Sequence, residues 1–192
     1  MSVSMSSRCL RLSLRAGETL PANLCWRVEK GYVWLARWVP GCDPLTLGVW
    51  GPGEMVMPAL IGLPSIELRS LSPVVVVEEA DTTVPMERSF LEDQLRQAAL
   101  LLLLSRVRPA EARLLQLLDW FGTRFGTMTT KGVRLCFGER PLTHQQLADI
   151  AGMTRVTVTK ALTQFRQSGV LSSDGNGGLL LRVPASELWG EE

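Results

Sequence analysis

Apolar residues follow two different rhythms along this chain of 192 residues. Up to about residue 86 they come in short bursts: Leu10–Leu14, Val33–Val39, Leu45–Trp50 and Val74–Val77. Val, Leu and Trp dominate the bursts. Gly, Pro and Asp clusters separate them, as in Pro40-Gly41-Cys42-Asp43-Pro44 and Gly51-Pro52-Gly53. Strand-length bursts between turn residues predict a small antiparallel β sandwich or barrel. Prolines at the ends of the bursts suit strand ends, where a missing N–H leaves no ladder bond unmade.

From Pro85 the rhythm becomes helical. Proline fits a first helical turn, whose N–H has no intrahelical partner anyway. Leu91, Leu95, Ala98 and Leu102 then recur at four, three and four positions, a heptad-like stripe. The run Leu100–Leu104 makes the helix apolar on more than one face, so it must be covered on several sides. A core helix would satisfy that pattern, and so would a helix that pairs with its symmetry mate. The length and place of the stripe favour a dimerisation helix. Pro109 breaks it and starts another helix, with Leu114, Leu115, Leu118 and Phe121 on the buried face and Gly122 and Gly126 near its end. Val133–Phe137 has the look of a short strand.

Residues 141–171 carry the most specific local signals. Thr143 with Gln146 three positions on forms a capping box, so a helix begins there. Leu147, Ala148, Ile150 and Ala151 are its apolar positions, and small Ala148 lets another helix cross closely. Gly152 marks a tight turn. Thr154 caps a second helix whose Val158, Leu162 and Phe165 turn inward, and Ser168-Gly169 stops it. Helices of about seven and ten residues joined by a Gly turn make a helix-turn-helix. In that motif the first turns of the second helix enter the DNA major groove. Its outer face carries Thr154, Arg155, Val156, Thr157, Thr159 and Lys160. Arg155 has the two-pronged donor geometry that matches guanine O6 and N7, and Lys160 reaches a base or a phosphate. Val156, apolar on an exposed first turn, suits a thymine methyl. Thr143, His144 and Gln145 open the first helix, where backbone N–H groups and polar side chains grip a phosphate. Arg140, Arg155, Lys160 and Arg166 face a single acid, Asp149, a modest positive footprint. Residues 171–181 then read as a β hairpin with a Gly-rich tip, a wing. With no basic residue at the tip, its share is weak backbone contact.

On these residues the chain resembles the CRP/FNR superfamily, and within it the cyanobacterial nitrogen-control branch. The signature L-T-H-Q-x-[IL]-A stands at Leu142–Ala148, and T-R-V-T-V-T-[RK] at Thr154–Lys160. The resemblance implies an α+β architecture: a jelly-roll domain like those that bind cyclic nucleotides over 1–86, a dimerisation helix over 87–108, and a winged helix-turn-helix over 109–192. It implies a homodimeric transcription regulator on a palindrome, with RNA polymerase as a further partner. Arg155, Val156 and Lys160 would be the base readers. The branch usually has Arg where Lys160 stands, so fine specificity differs, because Lys is a point charge and not a fork. Gly53-Glu54 stands where cyclic-nucleotide binders carry Gly-Glu, but Pro64, followed by Ser65, stands at the Arg of their phosphate-gripping Arg-Ser or Arg-Thr pair. Without that counter-charge cAMP is disfavoured. A 2-oxoglutarate site, as the branch implies, or a site for another small effector, would need basic groups, and Arg69, Arg88 and Arg96 are candidates by type alone. The β domain is short for the family.

Composition narrows the field without deciding it. At 46% hydrophobic and 20% charged residues, the chain is that of a globular protein. A net charge of +1 neither supports nor excludes DNA binding, because only the contact face must be basic. Cys9, Cys25, Cys42 and Cys136 form no clamp, and His144 is the one histidine. Reduced structural cysteines, with neither zinc nor iron–sulfur cluster nor haem, are expected. The N-terminus lacks the apolar core of a signal peptide, and the longest apolar run, Ala98–Leu104, is far too short for a membrane span. The expectation is a soluble, cytoplasmic protein. An enzyme of cupin type would need several His ligands on facing strands, and residues 1–86 contain none. A rival reading is a winged-helix protein-interaction module without a specific DNA site. Trp26, Trp34, Trp38 and Trp50 would favour it if exposed, but Trp in a β domain more often packs.

Overall fold

The computed structural model describes residues 9–138, 141–174 and 178–182. Eight strands form the first half: β1 (Arg11–Leu14), β2 (Thr19–Leu20), β3 (Trp26–Lys30), β4 (Val33–Arg37), β5 (Leu45–Trp50), β6 (Met55–Val56), β7 (Ile66–Ser70) and β8 (Val74–Glu78). They make two antiparallel sheets, ordered β1-β8-β3-β6 and β2-β7-β4-β5. The expected β sandwich is present. Four of its strands, β2, β3, β6 and β7, go beyond the apolar bursts. Trp26, Val28, Val33, Leu35, Trp50, Val56, Leu68, Val74 and Val76 fill the space between the sheets. Each such fully buried aliphatic side chain contributes about 1.5–3 kcal/mol.

β4 shows why that burst is apolar throughout. Side chains alternate across a strand, so Val33 and Leu35 face the sandwich core, while Trp34 and Ala36 join a second core beneath the other half of the molecule. Both faces of the strand are covered.

The helix α1 (Val84–Arg106) starts three residues before the expected boundary at 87, with Pro85 in its first turn. It lies along β5, an edge strand of its sheet. Unpaired edge amides and carbonyls need partners when covered. Gln97 Oε1 accepts the Val49 amide at 3.0 Å, and Gln94 Nε2 donates to the Leu47 carbonyl at 2.7 Å. Gly48 permits this approach, because a Cβ there would lie 2.6 Å from the Trp50 ring and 2.9 Å from Gln97 Oε1. Phe90, Gln97 and Leu104 are buried on this side. Leu91, Leu95, Leu102 and Leu103 remain exposed on the other, Leu95 to 71%.

The second half comprises α2 (Ala110–Phe125), β9 (Thr127–Thr129), β10 (Gly132–Leu135), α3 (His144–Ala151), α4 (Arg155–Gln167), β11 (Leu171–Ser173) and β12 (Leu179–Leu181). The strand expected over 133–137 ends at Leu135, and β9 pairs with it through a tight turn. The wing hairpin is real but belongs to a four-stranded sheet, ordered β11-β12-β10-β9. The inner face of α2 comprises Leu114, Leu117, Leu118, Trp120 and Phe121; Leu115, expected there, is only half-buried. Tyr32 of the β half meets the Phe125 and Phe137 rings edge-on at 5.1 and 4.9 Å, a favourable geometry for aromatic pairs. The two halves therefore share one continuous apolar core.

Three of the four expected packing tryptophans are buried. Trp38 is 38% exposed, edge-on to Trp34 and beneath the Arg69 guanidinium. All four cysteines are free, but Cys9 and Cys42 are exposed and not structural core. Burial, and then the Glu79 charge, push the Cys25 thiol up to about 11, so it stays protonated at neutral pH.

Candidate nucleic-acid interface

The local signals of residues 143–168 fold as their chemistry dictates. Thr143 Oγ1 accepts the Gln146 amide at 3.2 Å, and Gln146 Oε1 accepts the Thr143 amide at 2.9 Å, which completes the capping box. Gly152 has φ of 61°, a left-handed conformation open to glycine at no steric cost, and ends α3. Thr154 Oγ1 then accepts the Thr157 amide at 3.1 Å and caps α4. The helices are longer than expected, eight and thirteen residues. Leu147, Ala148 and Ile150 of α3 and Val158, Ala161, Leu162 and Phe165 of α4 are buried against each other and α2.

That packing leaves one face of α4 outward. Thr154, Arg155, Val156, Thr159 and Lys160 are exposed, and Thr157 is half-buried by its cap bond. Val156 is 63% exposed. Among the described residues no carboxylate pairs with Arg155, Lys160 or Arg166, so these cations are available to an anionic partner. Gln145 Nε2 instead reaches back to Asp149 Oδ1 at 2.7 Å along its own helix.

His144 joins the two helices. Its Nδ1 lies 2.9 Å from Thr159 Oγ1, and that hydroxyl donates its single proton to the Arg155 carbonyl at 2.9 Å. With the hydroxyl proton committed, both bonds form only if Nδ1 carries the imidazole proton. Burial, followed by the Arg166 and Arg155 charges, holds His144 below the usual imidazole range.

The motif is anchored to the β half by side chains whose roles the sequence did not disclose. Gln146 Nε2 donates to the Leu71 carbonyl at 2.8 Å, and Thr46 Oγ1 donates to the Ile150 carbonyl at 3.2 Å. Arg113 of α2 donates to the Ala151 and Gly152 carbonyls at 3.3 and 3.1 Å, holding the turn of the motif. In the wing, the Asp174 carboxylate pairs with Arg134 and accepts the Gly178 amide at 2.7 Å. Residues 175–177 of the Gly-rich tip, and Arg140 of the positive footprint, lie outside the described residues.

The five effector candidates converge only in part: Glu54 and Arg96 line one cleft of about 240 Å³ with Asp93, Trp120 and Arg124, whereas Arg69 and Arg88 do not line it. Arg69 pairs with Glu67 at 2.6 Å on β7. Arg88 pairs with Glu92 and Arg96 with Asp93 along the exposed side of α1. Gly53 and Glu54 lie at a cleft of about 310 Å³ with Trp50, Phe90, Gln97 and Arg124. Within it Glu54 is already engaged: Oε2 accepts the Gly51 amide at 2.7 Å, and Oε1 accepts Arg124 Nη2 at 2.6 Å. Arg124 also donates to the Val49 carbonyl at 2.8 Å, so it ties α2 to the sandwich. Neither Arg124 nor Arg113 carries a motif, and only the tertiary structure reveals their parts.

Comparison with known proteins agrees with this geometry. Residues 96–185 match a Crp-like helix-turn-helix domain. The chain is 39% identical over 163 residues to the regulatory protein CysR of Synechococcus elongatus, covering 85% of this chain and 78% of that one. It is similar in fold to FixK2 of Bradyrhizobium japonicum, with a TM-score of 0.71, 20% identity, and 93% and 94% of the two chains covered. A CRP/FNR-family transcriptional regulator from Thermus thermophilus superposes with a TM-score of 0.67 at 21% identity, over 92% and 95%. No helix among the described residues is long and apolar enough to cross a membrane. The helix-turn-helix, the fold and the relatives agree: the chain belongs to the CRP/FNR family of DNA-binding transcription regulators, and it is not an enzyme.

Proposed function

We propose that the protein acts as a homodimer, joined along α1, that reads a palindromic site through α4. The observation that carries this is the pairing of two unpartnered faces. Leu91, Leu95, Leu102 and Leu103 form an exposed apolar strip on α1, and Arg155, Val156 and Lys160 project from α4 with no acidic partner among the described residues. Two-fold pairing of α1 would set the reading helices one DNA turn apart, about 34 Å, in successive major grooves. Arg155 then serves as a guanine reader, Val156 as a thymine-methyl contact and Lys160 as a base or phosphate contact. Thr143, His144 and Gln145 hold a phosphate, and Thr154, Thr157 and Thr159 cap and shape the reading turn. Work on DNA fits a cytoplasmic protein, with RNA polymerase as a further partner.

For the sensor half we read no cAMP dependence. Pro64 supplies no phosphate counter-charge, and Glu54 is held by Arg124. A small effector such as 2-oxoglutarate is the alternative to a regulator with no ligand at this loop.

Fluorescence anisotropy tests the reading. A GTA-N8-TAC-type palindrome, the site implied by the nitrogen-control resemblance, is compared with scrambled DNA across a salt series, with and without 2-oxoglutarate or cAMP. Tight, palindrome-selective binding is expected, with a salt slope that reports the phosphate contacts. Equal, weak binding to both DNAs would sink the proposed site, and selection from random DNA would then find the real one.

A further inference from the structure

A second cavity, distinct from the Glu54 cleft, lies where four elements meet. It holds about 360 Å³, within the ordinary range of ligand pockets, ~300–1,000 Å³. Leu45 and Leu47 of β5, Leu101 of α1 and Leu117 of α2 supply apolar wall, and Ala151 and Gly152 close it at the turn of the DNA-reading motif.

Among the described residues, Arg113 is the one charged residue that lines it. Its guanidinium donates only to neutral carbonyls: Ala151, Gly152 and, at 3.5 Å, Val107. Nε is buried and has no hydrogen-bond partner. Among the described residues no carboxylate pairs with it. Desolvation and the charge of neighbouring Arg108 both work against its protonated form. Arg108, too, bonds only to carbonyls, those of Ser105 and Val107. A partly desolvated cation beside a second cation, with an unused donor and an apolar chamber next to it, lacks an anion. Carboxylates match guanidinium geometry in the charge-assisted, bidentate manner.

We infer that this junction binds a small amphiphilic carboxylic acid, its carboxylate on Arg113 and its apolar body between β5, α1 and α2. The Glu54 cleft differs in chemistry, since its arginine is already neutralised by Glu54. A ligand in the junction would touch α1, α2 and the α3–α4 turn together. Ligand binding there is independent of the DNA-reading proposal and is measured without DNA.

Isothermal titration calorimetry of the full chain uses octanoate as the probe, with 1-octanol and octylamine as controls. Saturable octanoate binding at one site per protomer is expected, with the alcohol and the amine about tenfold or more weaker, the loss that follows removal of a charge-assisted pair. Arg113→Gln removes the counter-charge and should weaken octanoate by a similar factor. That variant also loses carbonyl bonds, so Leu45→Glu serves as a second. Leu45 is exposed, which spares the fold, and a carboxylate at the cavity wall should repel the ligand and occupy Arg113. Absence of saturable binding, equal affinity for octanoate and octanol, or unchanged affinity in folded Leu45→Glu would each overturn the assignment.

Discussion

Gln146 and Leu71 stand 75 positions apart in sequence, yet the amide of one side chain bonds the carbonyl of the other residue at 2.8 Å. The same side chain caps α3 through its oxygen. One residue therefore starts the DNA-reading motif and fixes it to the β half. Gln146→Ala should lower the free energy of unfolding by about 1–2 kcal/mol, the combined scale of a cap and a hydrogen bond. Gln146→Glu retains the cap acceptor but loses the donor, so its loss against the native chain isolates the tie to Leu71, and the further loss in Gln146→Ala isolates the cap. Urea denaturation measures both. A loss of only a few tenths in each would mean that neither bond matters to stability.

Arg155→Ala should cost about 1–3 kcal/mol of binding to the cognate site and relax base choice at one position. Lys160→Ala should weaken cognate and scrambled DNA more evenly and reduce the salt slope by about one if Lys160 meets a phosphate. Anisotropy on a set of single-base variants separates the two roles. Uniform loss across all sequences in Arg155→Ala would make it a backbone contact.

Leu95→Asp tests the assembly with little cost to the protomer, because this side chain is largely exposed within its own chain. Multi-angle light scattering should report a monomer, and DNA affinity should fall with it. A dimer of unchanged mass would place the interface elsewhere.

The proposed phosphate contact of His144 predicts a pH dependence of DNA binding with a definite sign. In the free protein its imidazole is held below the usual value by burial and by Arg166 and Arg155. Unfolding therefore takes up a proton just below the ordinary value of about 6.5. Stability contributed by this group is present above that value and is lost as pH falls through it. Phosphate beside the ring acts in the opposite direction, favours the imidazolium and couples binding to proton uptake. Affinity should rise as pH drops from about 7.5 to about 6, across the ordinary imidazole range, and His144→Gln should flatten the profile. An identical pH profile in that variant would exclude His144 as the proton acceptor.

What could be read from the sequence was local, and what could not was distant. Thr143, Gln146, Gly152 and Thr154 act within a few residues of themselves, so the motif was legible to within a turn of each helix. Leu45–Trp50 matched β5 in full because the turn residues on either side, Pro44 and Gly51, leave little choice of ends. β3 and β7 are not apolar bursts: in Trp26-Arg27-Val28-Glu29 and Ile66-Glu67-Leu68-Arg69 apolar and charged positions alternate, the signature of a strand with one covered face. Arg113 and Arg124 were invisible in the sequence. Their partners are backbone carbonyls and a carboxylate 38 to 75 positions away, which no periodicity encodes.

The ion pair between Glu54 and Arg124 sets the terms on which any molecule could occupy the adjoining cleft. A newcomer that seeks the carboxylate must compete with a tethered guanidinium already present at high effective concentration. Success would free Arg124 from Glu54 and loosen its hold on the Val49 carbonyl, so occupancy of the cleft and the seating of α2 are two readings of one equilibrium. In its resting state the chain thus serves as its own ligand.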